Sequence, residues 1–93
     1  MTKKTAIIKI KGRVQGVFFR DNTAKFAHEC NLTGFVRNIS DGSVEIIAEG
    51  NKWDIDKLIN WCRKGPALAK VEKVNVEWKP FEGRFFDFRV KYK

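Results

Sequence analysis

Gly12-Arg13-Val14-Gln15-Gly16-Val17-Phe18-Phe19-Arg20 joins two different periodicities, and its reading organises the rest of the chain. Upstream, Ala6, Ile8 and Ile10 alternate with Ile7, Lys9 and Lys11, the two-residue period of a half-buried strand over Thr5 to Lys11. Downstream, Phe19, Thr23, Phe26, Ala27 and Cys30 recur at helical spacing, which predicts a helix beginning at Arg20 or Asp21 and stopping at Asn31. Between the two, Gly12 and Gly16 punctuate a loop. Glycine takes backbone angles that other residues resist, so such a loop can turn successive N–H groups toward one point. The helix start adds unpaired donors and the positive end of its dipole. Arg20 sets a planar cationic fork beside them. The combination predicts a socket for a small anion, phosphate above all.

Working outward, Thr33 to Ile39 and Ser43 to Glu49 read as strands joined by the turn Ser40-Asp41-Gly42. A second helix is predicted from its Asn51 cap, with Asp54 three residues on and a stripe of Ile55, Leu58, Ile59 and Cys62. Lys64, Gly65 and Pro66 end it. Val71 to Trp78 reads as a fourth strand, with Val74, Val76 and Trp78 on one face. Phe86, Phe88 and Val90 then alternate with Asp87, Arg89 and Lys91, as a fifth strand or the tail of a broken fourth. The order β-α-β-β-α-β predicts an α+β, ferredoxin-like two-layer sandwich: an antiparallel sheet with both helices on one face. In that arrangement the strands flanking the first helix run parallel. Residues after the first strand and at the end of the second, Arg37 and Asn38, therefore emerge at one edge.

At 93 residues the chain is expected to form one domain over 1–93. Its 43% hydrophobic and 13% aromatic content is globular rather than disordered. No apolar run approaches the roughly 20 residues that span a bilayer, and Met1-Thr2-Lys3-Lys4 leads into no signal-peptide core. The expectation is a soluble cytoplasmic protein. The formal charge of +8 comes from dispersed lysines rather than a polybasic tail, and suits steering of a small anion as well as a merely basic surface. Cys30 and Cys62 lack metal-ligand spacing and fall on predicted apolar helix faces, where cysteine serves as a small core residue. Trp53, Trp61 and Trp78 are expected to pack rather than to bind.

Few side chains at the predicted edge can do chemistry. Arg20 matches two phosphate oxygens at once. Asn38 offers a carbonyl acceptor and an amide donor, enough to hold a water molecule in a chosen direction. The motif contains no nucleophilic Ser, Cys or His, and His28, the only histidine, falls mid-helix as a surface residue. A phosphate socket beside a water-holding amide suits direct attack of water on phosphorus, where positioning and electrostatics carry the catalysis. With no general acid in view, the leaving group must be good on its own, as a carboxylate is.

Gly12 to Arg20 resembles the first signature of the acylphosphatases. The run Gly34-Phe35-Val36-Arg37-Asn38-Ile39-Ser40-Asp41-Gly42-Ser43-Val44, continuing to Gly50, resembles their second. Two independent motifs in the right order, with similarity over essentially the whole chain, make the resemblance specific. It implies hydrolysis of acyl phosphates to a carboxylate and inorganic phosphate, without metal or organic cofactor. It gives Arg20 to phosphate binding and Asn38 to the attacking water, with backbone N–H groups of Gln15, Gly16, Val17, Phe18, Phe19 and Arg20 completing the cradle. The partner implied is a small-molecule acyl phosphate, not nucleic acid or membrane, acted on by a monomer. The role of the stretch from Phe81 onward stays open.

The main rival is RNA binding, since RNA-recognition domains share this element order and stack bases on aromatics of the open sheet face. Here the outward positions are Ile7, Lys9 and Lys11 on the first strand and Ser43, Glu45, Ile47 and Glu49 on the third, with Phe35 the only nearby aromatic. Two glutamates there would repel phosphate. A related module fused into a carbamoyl-transfer enzyme is a further alternative, against which this chain looks free-standing. The outward apolar residues Ile7, Phe35, Ile39 and Ile47 leave room for a weak partner contact.

Overall fold

The computed structural model describes residues 2–92. Its elements are β1 (Lys3–Arg13), α1 (Phe19–Glu29), β2 (Thr33–Asn38), β3 (Val44–Asn51), α2 (Lys52–Lys64), β4 (Lys70–Pro80) and β5 (Phe88–Lys91). The strands form one sheet in the order β4-β1-β3-β2-β5. Both helices pack on one face of it, over a core of Ala6, Ile8, Ile10, Val36, Val44 and Ile46 from the sheet and Phe19, Ala27, Ile55 and Leu58 from the helices. This is the ferredoxin-like βαββαβ sandwich that the periodicities predict.

The sheet is not wholly antiparallel. β1 pairs antiparallel with β3 and β4, and β2 with β3, but β5 runs parallel to β2, with Phe35 opposite Arg89 and Arg37 opposite Lys91. The terminal stretch is therefore a separate fifth strand on the far edge, not a tail of β4. Its direction matters, because β5 delivers its last residues to the edge where β2 ends. Phe86 lies before this strand and is fully exposed.

Local chemistry sets the helix ends. The helix α1 begins at Phe19 and closes with Asn31 in the left-handed region (φ 58). The Leu32 N–H donates to the Ala27 carbonyl and the Asn31 N–H to that of His28, so the last turn loses none of these acceptors to water. In α2 the Asn51 side chain accepts from the Trp53 N–H at 3.1 Å, as a cap should. Gly12 belongs to β1 rather than to the loop. It stands at a bulge with φ 128, where a Cβ would lie 2.2 Å from the Lys70 carbonyl oxygen.

The outer sheet face differs from the alternation reading around both ends of β3. Glu49 and Ser43, expected outward and exposed, are buried, and so is Thr5. Glu49 accepts from the Thr5 hydroxyl at 2.8 Å and from the N–H groups of Gly83 and Arg84 at 3.1 and 2.9 Å. The Glu82 N–H in turn donates to the Thr5 hydroxyl. The segment between β4 and β5 is thus pinned over the face by a carboxylate with three donors. Phe35 is likewise covered, by Phe85 at 5.8 Å between ring centroids and by the Lys91 ammonium 4.0 Å above its ring. Trp61 packs as expected, stacked on Phe26 and edge-on to Phe19. Trp53 does not; it is 75% exposed. Both cysteines are free thiols, Cys62 buried and Cys30 partly so.

Candidate active site

Among the described residues, no backbone N–H of the loop residues 14–18 donates a hydrogen bond to another backbone group. Phe18, at the cap position of α1, sits in the left-handed region (φ 65, ψ 25), and no side-chain hydrogen bond caps the helix start. Gly16 also has positive φ (73), and open space surrounds the position of a Cβ there. Alternating hand along a short loop is how successive N–H groups come to face one concavity. The uncapped helix start adds its own donors and positive dipole end.

The Gln15 side chain fixes this loop to the sheet. Its amide donates to the carbonyls of Ile39 (2.8 Å) and Ser43 (2.9 Å), the pair that opens the β2–β3 hairpin. Asp41 stiffens the same hairpin, accepting from the Ser43 hydroxyl and N–H and pairing with Lys9 at 3.0 Å. Those contacts, the Ser43 hydroxyl foremost and then its N–H and Lys9, hold the Asp41 carboxyl far below the usual carboxylate range. Asn38, the last residue of β2, is thereby held against the loop.

A cleft of about 270 Å³ opens there, lined by Val14, Gly16, Phe18, Phe19, Arg20, Asp21, Asn38 and Tyr92. The structure thus brings Asn38 together with four of the six loop residues predicted for the cradle, Gly16, Phe18, Phe19 and Arg20. Gln15 and Val17 are not among the lining residues; Gln15 acts as the strut just described, and Val17 is buried. Arg20 Nη1 donates to the Lys91 carbonyl at 3.2 Å, and its guanidinium lies 4.6 Å from the Tyr92 ring centroid. The fork is held from the β5 side by one hydrogen bond and one ring face. The Asn38 carbonyl oxygen is buried and has no hydrogen-bond partner among the described residues.

Tyr92 is the site residue that sequence reasoning missed. The signal was slight: a tyrosine two positions beyond Val90, just past the end of a strand whose parallel pairing with β2 was not foreseen. His28, expected on the surface, is exposed and also ties α1 to β5, its Nε2 2.8 Å from the Phe88 carbonyl oxygen. Among the described residues no group of three or more His, Cys, Asp or Glu could hold a metal ion, and no helix is long and apolar enough to cross a membrane.

The family model described as acylphosphatase matches residues 6–90. The chain belongs to the acylphosphatase family. An acylphosphatase of Methylococcus capsulatus is 45% identical over 87 residues, covering 94% of this chain and 95% of that protein. The solved structure of an acylphosphatase from Coxiella burnetii superposes with a TM-score of 0.91 at 41% identity, over 97% of this chain and 94% of that one. HypF of T. kodakarensis contains the same unit within a far longer chain, with TM-score 0.83 and 35% identity over 97% of this chain but 12% of that one. The protein is an acylphosphatase-family hydrolase, and its reaction is cleavage of the carboxyl–phosphate bond of acyl phosphates.

Proposed function

We propose that Arg20 and the backbone N–H groups of residues 15–20 hold the phosphoryl group, while Asn38 aims the water that attacks it. The observation that carries this reading is the buried carbonyl oxygen of Asn38, without a hydrogen-bond partner among the described residues, in the same cleft as Arg20. A buried amide oxygen without a donor is costly, by about 1–3 kcal/mol. A water donating one O–H to it relieves that cost and keeps its lone pairs free for phosphorus.

The step balances without a side-chain base. Water adds to phosphorus as the bond to the bridging oxygen breaks, and the carboxylate leaves with the electron pair. Both water hydrogens stay with the phosphoryl group, one passing to a phosphoryl oxygen, so a dianionic acyl phosphate becomes a carboxylate and monoanionic inorganic phosphate. Charge spreads over the equatorial oxygens in the transition state, where N–H donors and a guanidinium act most strongly. The enzyme is further proposed to need no metal or organic cofactor and to work as a cytoplasmic monomer on small-molecule acyl phosphates.

Hydrolysis of benzoyl phosphate in ¹⁸O-water with chelator present tests the reading. Label in inorganic phosphate and none in benzoate is expected; label in benzoate, or a requirement for added metal, refutes it. Arg20→Ala should lower kcat/KM on the order of 10³-fold and abolish competitive inhibition by inorganic phosphate.

A further inference from the structure

The outer face of the sheet carries a second concavity, at its β2–β5 edge. The segment before β5 brings Phe85 and Phe86 beside Phe35 of β2. The three rings line a hollow of about 230 Å³ that shares no lining residue with the cleft of Arg20 and Asn38. Phe85 stands edge-on to Phe35 and covers part of it. Phe86 covers nothing: it is fully exposed, which leaves a whole phenyl ring in water at no gain to the core.

Charge gathers round the same rings. Arg84, Arg89 and Lys91 line the hollow, against Asp87 as its one carboxylate. Other cations on this face are committed, since Arg37 holds Glu45 at 2.7 Å and Lys9 holds Asp41 at 3.0 Å. Those of the hollow are not. Arg84 lies 3.8 Å from Glu82 and Arg89 lies 3.8 Å from Asp87, too far for hydrogen bonds. The Lys91 ammonium sits over the Phe35 ring and pairs with no carboxylate among the described residues. Cations with unused donors beside a free ring face suit a ligand that is anionic at one end and flat at the other.

We propose that this hollow binds a flat ring carrying a phosphate, of the nucleoside monophosphate kind, with the base stacked on Phe86 and the phosphate held by Arg84, Arg89 and Lys91. Three cations less the Asp87 carboxylate leave two positive charges. A phosphate monoester at neutral pH carries close to two negative ones. Every base has a face to stack, so the ring side of the site discriminates little among bases. The site stands apart from the hydrolytic reaction and asks nothing of Arg20 or Asn38.

The test follows backbone amide shifts of the full chain by NMR during titration with adenosine monophosphate. Shifts at Phe35 and residues 84–91 are expected, and excess inorganic phosphate should leave most of them in place while removing any at residues 15–20. Ribose 5-phosphate, which lacks the ring, and adenosine, which lacks the anion, should each bind the hollow roughly tenfold more weakly. Phe86→Ala should raise the dissociation constant by about the same factor, and Arg84→Ala by a smaller one, with hydrolysis of benzoyl phosphate unchanged in both. Shifts confined to residues 15–20, ribose 5-phosphate binding as well as the nucleotide, or an unaltered constant in Phe86→Ala overturns the site. A constant for octa-adenylate more than about a hundredfold lower would give the face to single-stranded nucleic acid instead, and overturns it too.

Discussion

Asn38 and Glu49 lie at opposite ends of the β2–β3 pair, and each places a side-chain oxygen out of reach of water. Around Glu49 the chain supplies three donors: the Thr5 hydroxyl and the N–H groups of Gly83 and Arg84. Around the Asn38 oxygen the described residues supply none. One end uses its buried polar group to fasten a loop, and the other keeps one open. The difference separates architecture from chemistry: an oxygen satisfied within the protein contributes to folding, and one left unsatisfied beside a cation invites a ligand. The ends are nonetheless connected, since the segment Glu49 fastens leads directly into β5, which carries Tyr92 to Arg20.

Substituting each group in turn should separate the two roles. Asn38→Ala is expected to lower kcat by about 10²–10³-fold while leaving thermal stability within about 0.5 kcal/mol and inhibition by phosphate near normal. Glu49→Ala should do the opposite, costing about 1–3 kcal/mol in denaturant unfolding while retaining most of kcat at low temperature. If Asn38→Ala unfolds the protein, or Glu49→Ala silences it while folded, the division fails. A smaller effect sharpens the link between the ends. Tyr92→Ala should raise the inhibition constant of phosphate by a few-fold to roughly tenfold, and Tyr92→Phe should change it little, because the ring rather than the hydroxyl faces Arg20.

The smallest expected effect concerns acid. The folded state holds the Asp41 carboxyl below its unfolded value, chiefly through the Ser43 hydroxyl. Its contribution is present above the unfolded carboxylate pKa, about 3.9, and is lost as pH falls through the folded value. The stability gap between wild type and Asp41→Asn should therefore be small at neutral pH and begin to close below about pH 4. A gap that widens in acid would show that Asp41 does not lock the hairpin as described.

Arg20 and Asn38 were legible because each lies in a local pattern, and the parallel course of β1 and β2 carries both to one edge. Glu49 was misread because alternation assigns a residue to a face without saying what covers it. Residues 81–85, which supply the cover, have no periodicity from which it could be inferred. Tyr92 was missed for a related reason: β5 is only four residues long, and its pairing with β2 is distant in sequence. Trp53 is exposed because it falls off the stripe of Ile55, Leu58, Ile59 and Cys62, which position rather than hydrophobicity decides. Phe18 illustrates the limit most sharply, since no sequence pattern announces a left-handed phenylalanine.

A crystal of the wild-type protein soaked in inorganic phosphate tests the central claim most directly. The account predicts a phosphate within hydrogen-bonding distance of the Arg20 guanidinium and the loop N–H groups, with a water donating to the Asn38 carbonyl oxygen and directed at phosphorus. Phosphate bound elsewhere, or a donor from the protein itself filling the Asn38 oxygen, would contradict it.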